Sequence, residues 1–532
     1  MYDYVIVGGG SAGCVMAARL SEMPDVKVLL LEAGPSDRNP YIHMPCGFFK
    51  MTGGPLTWGY KTAPARHAGR RQMVYPQARV LGGGSSINAQ VYTRGAPEDY
   101  DNWAKEDGCA GWSWSALKPY FVKSEDNDRL NGDMHGKGGP LGVSTLREPN
   151  VMTKAFVEGA REFGMPLNPD FNSGHQEGAN VYQMTIRGGR RCSVAVGYLR
   201  PALKRSNLTV KTDAFITRLV IGKGRVTGVA IIENGRENII TAERDVVLAA
   251  GAIGSPKLLM LSGIGPGAHL KSRGVAVVHD LPGVGRNLQD HMASDIVWQL
   301  NGPYSYDKYK KLHWQAIAGV QYLLLRSGPV ASSLVEGGAF WWSDRREKTP
   351  DLQFHFLPGA GVEEGVGTVP GGNGATLNSY HLRPRSRGFV ELSSSNPLDP
   401  PVVDPNSFAE TYDLDRAVDA IRISREIGRT RAFGKYVTRE HLPGDDCRTK
   451  ADYETFARAV ARSAYHPVGT CKMGVDDMAV VDPATLRVRG IDGLRLCDSS
   501  IMPRLVSSNT NAPTIAMAEK AADMIKGNRM GV

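Results

Sequence analysis

Three glycines and one glutamate near the start of this chain are spaced to hold a nucleotide. Gly8, Gly10 and Gly13 stand in G-x-G-x-x-G spacing, and Glu32 follows them. In that spacing the first glycine permits a tight turn, the second lets the backbone approach a pyrophosphate, and the third lets a helix pack closely on a strand. An acid about 20 residues farther on accepts hydrogen bonds from a ribose. Ser11 and Ala12 open the segment that reads as the helix, so free N–H groups and the positive end of the helix dipole would face the pyrophosphate. Ala33, next to the acid, completes the candidate contacts. The pattern asks for an adenine dinucleotide.

The glycines carry that meaning only between the right elements. Residues 4–7 read as a buried strand, Ser11–Leu20 has a helical pattern, and Val28–Leu31 is a second strand closed by Glu32. Residues 34–84 are loop-rich and too long for an idle connection, so they are expected to lie over the cofactor. Residues 208–221, 228–233 and 245–250 read as strands, with Gly222-Lys223-Gly224 as a hairpin turn, and residues 255–262 as a helix. Between 291 and 463 the dinucleotide features disappear; 352–357 and 389–393 look like strands and 414–427 like an amphipathic helix. The C-terminal part reverts to the first type, with a strand over 494–498 and a helix over 512–526 that stops at Gly527.

Composition excludes several classes. A chain of 532 residues exceeds one core, and 42% hydrophobic with 22% charged residues is ordinary for a globular protein. The net charge of +9 comes without a basic block, which argues against nucleic acid and leaves room for loose, peripheral membrane association. No apolar run reaches the roughly 18 residues of a transmembrane segment. The seven cysteines are odd in number, scattered and without C-x-x-C, so no disulfide framework or metal site is expected and a reducing cytoplasm fits. The first strand begins at residue 2, leaving no room for a signal peptide.

Three more segments carry chemistry. Residues 78–88 present successive glycines and serines, a nest of backbone N–H groups suited to phosphate oxygens or a flavin edge. Residues 251–265 form a second Gly-rich run ahead of apolar residues. Residues 466–474 begin with His466-Pro467 and continue into a Gly-containing turn, with Asn509 farther on. Alone, His466 would read as a turn histidine and Asn509 as a loop or capping residue.

Together the three segments resemble the glucose-methanol-choline (GMC) oxidoreductases, FAD-dependent alcohol oxidases and dehydrogenases, over nearly the whole chain. The resemblance implies an α/β FAD-binding Rossmann-type domain from residues 1–145, 190–292 and 463–532. It adds an α+β substrate domain with an antiparallel sheet from 146–189 and 293–462. His466 falls on the family's active-site histidine and Asn509 on its second catalytic position. Gly8, Gly10, Gly13 and Glu32 fall on the ADP-binding positions. Arg79, Gly83, Ser85, Asn88 and Val91 fall beside the pyrophosphate and isoalloxazine, and Ile216 on the adenine side. Asp498, Ser499, Asn511 and Pro513 fall on the C-terminal flavin contacts. Where some relatives attach FAD through a histidine this chain has Ile87, so the cofactor is expected to be non-covalent.

The implied reaction is oxidation of a primary alcohol, with electrons passed to a quinone-like carrier or O2; the likeness to bacterial choline and aliphatic-alcohol dehydrogenases favours the carrier. A hydroxynitrile lyase with redox-idle FAD is the other reading. Glu336 resembles a glutamate that binds the cation in choline-oxidising relatives. Trp341 and Trp342 are expected to fill a sheet face, and His291, in Asn287-Leu288-Gln289-Asp290-His291, to be a structural turn rather than a second base.

Overall fold

A computed structural model describes residues 1–233, 235–362 and 367–527. Two seven-stranded sheets organise them. In the first, Tyr2–Val7 is central and parallel to Val28–Leu31 on one side and to the end of Arg236–Leu248 on the other. Leu208–Lys211 and Leu494–Leu496 extend the parallel ladder at its two sides. Val5, Ile6, Leu29, Leu30 and Val247 are fully buried, as strands covered on both faces must be. Helices Ser11–Leu20 and Asn511–Gly527 pack on one another over this sheet.

The long strand Arg236–Leu248 changes partners along its length. Its first half is antiparallel to Arg225–Glu233, which pairs in turn with Phe215–Gly222. Lys223 and Gly224 both have positive φ, the two-residue turn that matches strand twist. Two sequence expectations shift here. The run 208–221 is two strands, broken where Asp213 adopts φ +56°, and the last strand begins at Arg236, not at residue 245. Residues 236–239 are exposed on both faces and so offer no hydrophobic alternation to read. Elsewhere the expected elements appear with small changes: helices Gly251–Leu261 and Thr411–Arg429, and strands Leu352–Leu357 and Phe389–Glu391.

The second sheet is antiparallel, ordered Val437–Leu442, Met292–Leu300, Gly374–His381, Leu352–Leu357, Gly337–Trp341, Gly178–Val181. Ile296, Trp298, Phe354, Phe356 and Leu377 share a core with helices Val151–Phe163, Thr411–Arg429 and Lys450–Val460. Side chains alternate along a strand, so Gln353, His355, Asn378 and Tyr380 point the other way. That face looks into the cleft between the two sheets.

Candidate active site

The cleft is lined at one end by Glu32, Ala33 and Ile216 and at the other by His355, Asn378, His466 and Asn509. Between them lie Gly8, Gly10, Ser11, Ala12 and Gly83 on one stretch, and Asn88, Val91, Asp498, Ser499 and Asn511 on the next. Phe48, Thr52, Trp58 and Tyr60 come from the loop over residues 34–84, which does cover the cleft.

At the first end the glycines and Glu32 come together around the cleft. Gly8 turns with φ +104°, and a Cβ on Gly13 would sit 1.9 Å from the carbonyl oxygen of Gly8, so these two glycines are required by the fold itself. A Cβ on Gly10 would meet no protein atom within 3.9 Å. The fold does not demand glycine there; a side chain would instead enter the cleft. Glu32 accepts from the N–H of Gly9 (2.9 Å) and of Gly34 (2.7 Å), one bond to each oxygen, leaving lone pairs for a ribose diol. Burial pushes its carboxyl upward while the two N–H groups hold it down. The Ser11 hydroxyl donates to Asn511 Oδ1 (2.8 Å), joining the starts of the two helices at the cleft. The 17-residue helix Asn511–Gly527 thus directs its positive end into the site.

Four expected contacts do not line the cleft. Gly13 serves helix–strand packing. The Ser85 hydroxyl is consumed by the Gly82 carbonyl (2.6 Å) and the Val194 N–H (3.1 Å). Pro513 is buried in the first turn of the C-terminal helix. Arg79 lies over the Trp58 ring, 5.3 Å from its centre, and its buried Nε has no hydrogen-bond acceptor, a donor left over for an anionic ligand. Asp498 works chiefly as a clamp: it accepts from Gly251 N–H (2.8 Å), the Ser255 hydroxyl (2.6 Å) and Ser500 N–H (2.7 Å).

At the other end the hydrogen bonds fix a proton pattern. His291 Nε2 lies 3.0 Å from the Leu382 carbonyl, which can only accept, so that nitrogen carries the hydrogen. Burial pushes His291 down to about 3, so it is neutral and its Nδ1 holds a lone pair. That lone pair faces His466 Nδ1 at 2.9 Å, which must therefore be the N–H. His466 Nε2 is left with its lone pair free to accept, and the Asn509 amide donates to it at 3.1 Å. Asn509 is held the right way round because its Oδ1 accepts from the Thr93 hydroxyl and from Gln353, both at 3.1 Å. Burial, then the neighbouring His291 and His355, hold His466 well below the usual imidazole range. It is a neutral imidazole with a lone pair on the cleft side.

The run Asn287–His291 braces the His466 loop along its length. Asn287 donates to the carbonyls of Gly469 and Pro503, Gln289 and Val468 exchange two backbone bonds, and Asp290 accepts the His466 N–H at 2.9 Å. Asp290 also accepts from the Tyr75 and Ser463 hydroxyls. Sequence reasoning read this run only as a turn. Its four polar side chains beside a buried strand were the signal for more. His355 was missed too, although its alternation with Phe354 and Phe356 places it on the face opposite the core.

Glu336 does not reach the cleft. It is fully buried and takes four donors: the Tyr306, Ser332 and Thr153 hydroxyls and the Asn150 N–H, at 2.5 to 2.8 Å. No cation site remains there. Trp341 packs against the helix-covered core, and Trp342 stacks with Arg345, so both belong to the sheet's other surface.

Two family models described as GMC oxidoreductase match residues 2–293 and 384–518. An alcohol dehydrogenase (acceptor) of Pseudomonas putida is 42% identical over 530 residues, covering 99% of this chain and 96% of that protein. An oxygen-dependent choline dehydrogenase of Rhizobium johnstonii has the same identity and coverage. Among solved structures, pyridoxine 4-oxidase from Mesorbium loti superposes with a TM-score of 0.90 at 32% identity, covering 99% of both chains.

Proposed function

The chain belongs to the GMC oxidoreductases, a family of FAD-dependent enzymes, and from that premise we propose that it oxidises a neutral primary alcohol to the aldehyde with His466 as base. The observation that carries this reading is the lone pair on His466 Nε2 beside the Asn509 amide donor in the cleft. Bound FAD supplies the acceptor for the electron pair that leaves the alcohol carbon. Gly10, Ser11 and Glu32 hold its pyrophosphate and ribose, Arg79 supplies a nearby cation, and the helix start at Asn511 stabilises negative charge. With Ile87 where a linking histidine would stand, nothing tethers the cofactor covalently.

In the resting site Asn509 donates to His466 Nε2. An alcohol entering between them takes the Asn509 hydrogen bond on its oxygen and offers its hydroxyl hydrogen to Nε2. His466 removes that proton as the α-hydrogen departs, and the Nδ1–H bond to His291 holds the ring in place. Phe48, Val91, Val335 and Leu357 give this end apolar walls. Among the described lining residues the carboxylates are Glu32 and Asp498, both already holding backbone N–H groups, and Arg462 is bonded to Asp295. A neutral alcohol therefore fits better than choline. In this reading residues 1–145, 190–292 and 463–532 carry the cofactor, 146–189 and 293–462 shape the substrate end, and the seven free thiols sit in a cytoplasm.

Relatives at the same 42% identity include an alcohol dehydrogenase (acceptor) and an oxygen-dependent choline dehydrogenase; this reading follows the first and takes a carrier other than oxygen. Anaerobic addition of aliphatic or benzylic alcohols should bleach the flavin, with choline much slower. No bleaching by any alcohol would leave a redox-idle flavin and overturn the oxidoreductase reading. Turnover should be far faster with a quinone-type dye than in air; comparable peroxide formation in air would make the enzyme an oxidase. Acid precipitation should leave FAD in the supernatant.

A further inference from the structure

Helix Leu312–Leu325 has little of its surface covered by the protein. Of its 14 residues only Ala318 and Tyr322 are buried. Leu312, Leu323, Leu324 and Leu325 are 67–80% exposed, and Ile317 and Val320 more than half exposed. Leucine is common enough on surfaces singly, but six large apolar side chains on one helix form a patch that water disfavours. Tyr41 and Phe49, from the neighbouring stretch that includes Pro45–Lys50, are exposed as well. The two regions meet where the Tyr322 hydroxyl approaches the His43 carbonyl, and where Pro45–Lys50 packs on Pro329–Ala331.

The exposed charges on the two segments that form the patch have one sign, and Asp37 beside them is buried and paired with Arg200. Residues 38–50 and 308–335 contain no aspartate or glutamate. Lys50, Lys310, Lys311 and Arg326 are exposed there, and Arg190 lies on the same side, close enough to act on Tyr322. The acid preceding the helix, Asp307, is buried and paired with Lys310.

From this we propose that Leu312–Leu325, with the Tyr41–Phe49 edge beside it, docks the enzyme on an anionic lipid surface. An exposed apolar helix flanked by lysine and arginine is what an interfacial helix needs: side chains to enter the acyl boundary and cations to meet phosphate headgroups. A second copy of the chain fits less well. A two-fold interface would lay this patch on itself, bringing cations against cations with no acid in the patch to pair them. No helix among the described residues is long and apolar enough to cross a membrane, so contact would be from one side. Phe48 lines the active-site cleft while Phe49, its neighbour, is on the docking edge. The docked face would thus adjoin the loop covering the site. The proposal stands apart from the assignment of His466.

The test is flotation of the FAD-loaded enzyme with phosphatidylcholine vesicles, with and without phosphatidylglycerol. The parent should float with the anionic vesicles, and added salt should weaken this. Leu323→Asp with Leu324→Asp should lower the bound fraction by about tenfold or more, because charged groups replace the inserted side chains. Lys311→Glu should weaken binding to anionic vesicles while leaving the small affinity for neutral ones. Anaerobic flavin reduction by a water-soluble alcohol should be unchanged in all variants, showing that they fold and that the active-site reading is untouched. Failure of the parent to float, or equal flotation of the leucine variant, would overturn the proposal. So would a parent dimer in light scattering that Leu323→Asp dissociates, since the patch would then belong to a second copy.

Discussion

His466 and Asn509 touch through a single hydrogen bond, and their replacements should have unequal effects. General-base assistance contributes about 10²–10⁴-fold. His466→Ala should slow anaerobic flavin reduction by that order while FAD stays bound, and Asn509→Ala should slow it less because the base survives. A His466→Ala variant reducing flavin at the parental rate would place the base elsewhere. The parent should hold its reduction rate unchanged from pH 8 to below 6.5, because burial keeps His466 neutral well under the ordinary imidazole value. His291 acts on this chemistry only through His466. His291→Phe removes the acceptor that fixes the proton on His466 Nδ1, and with it a hydrogen bond that would steady the imidazolium. The expected result is slower reduction together with an acid limb moved to lower pH. A purely structural histidine would slow the enzyme without moving the limb, so stopped-flow reduction across pH separates the two.

The elements were legible where each carries its own periodicity. Tyr2–Val7, Ser11–Leu20 and Val28–Leu31 announce themselves by apolar pattern and by Gly8 and Gly13, which serve the turn and the helix–strand contact. Gly13→Ala tests this directly. The added carbon would overlap the Gly8 carbonyl oxygen, so helix and strand must separate. Overpacking of this kind costs about 1–3 kcal/mol, and the turn that cradles the pyrophosphate moves with the helix. The variant should melt lower and purify with less flavin, read from the ratio of flavin to protein absorbance; full flavin content with parental melting would contradict the packing role. What the sequence left unread has physical causes. The outer half of Arg236–Leu248 is exposed on both faces, so nothing marks it as a strand. The bracket from Asn287 to His291 gains meaning only when a loop some 180 residues away folds onto it, as the Asn287–Gly469 and Asp290–His466 bonds show. Glu336 misled for a related reason: a motif likeness marked it for a cation, but four donors, two of them more than 180 residues away in sequence, claim its carboxylate in the fold.

Across the whole molecule, four buried histidines set an acid limit on stability. Burial pushes His291 and His355 to about 3, and His381 and His466 well below 6.5. The unfolded chain takes up protons near pH 6.5 that the folded chain refuses, so their contribution is full above that value and lost as pH falls below it. Asp290, raised to about 6 by burial, works in the opposite direction over part of this window. His135 differs: Glu125 and Asp170 hold it at about 9 against burial, so its contribution is full below 6.5 and fades as pH rises toward 9. His381 isolates one of these effects, because it lies on the helix-covered side, edge-to-face with Tyr412 at 5.4 Å. Neither ring nitrogen has a hydrogen-bond partner, and Asp351, at 3.8 Å, does not offset burial and the nearby arginines. His381→Phe removes the titrating group and keeps a ring for Tyr412. Between pH 7.5 and 5 the variant should gain on the parent by about 2 kcal/mol, the cost of keeping one histidine neutral over that interval. Urea unfolding of the FAD-loaded proteins at each pH measures it. Curves that stay parallel would mean that His381 gains its proton as easily in the folded protein as in the unfolded chain.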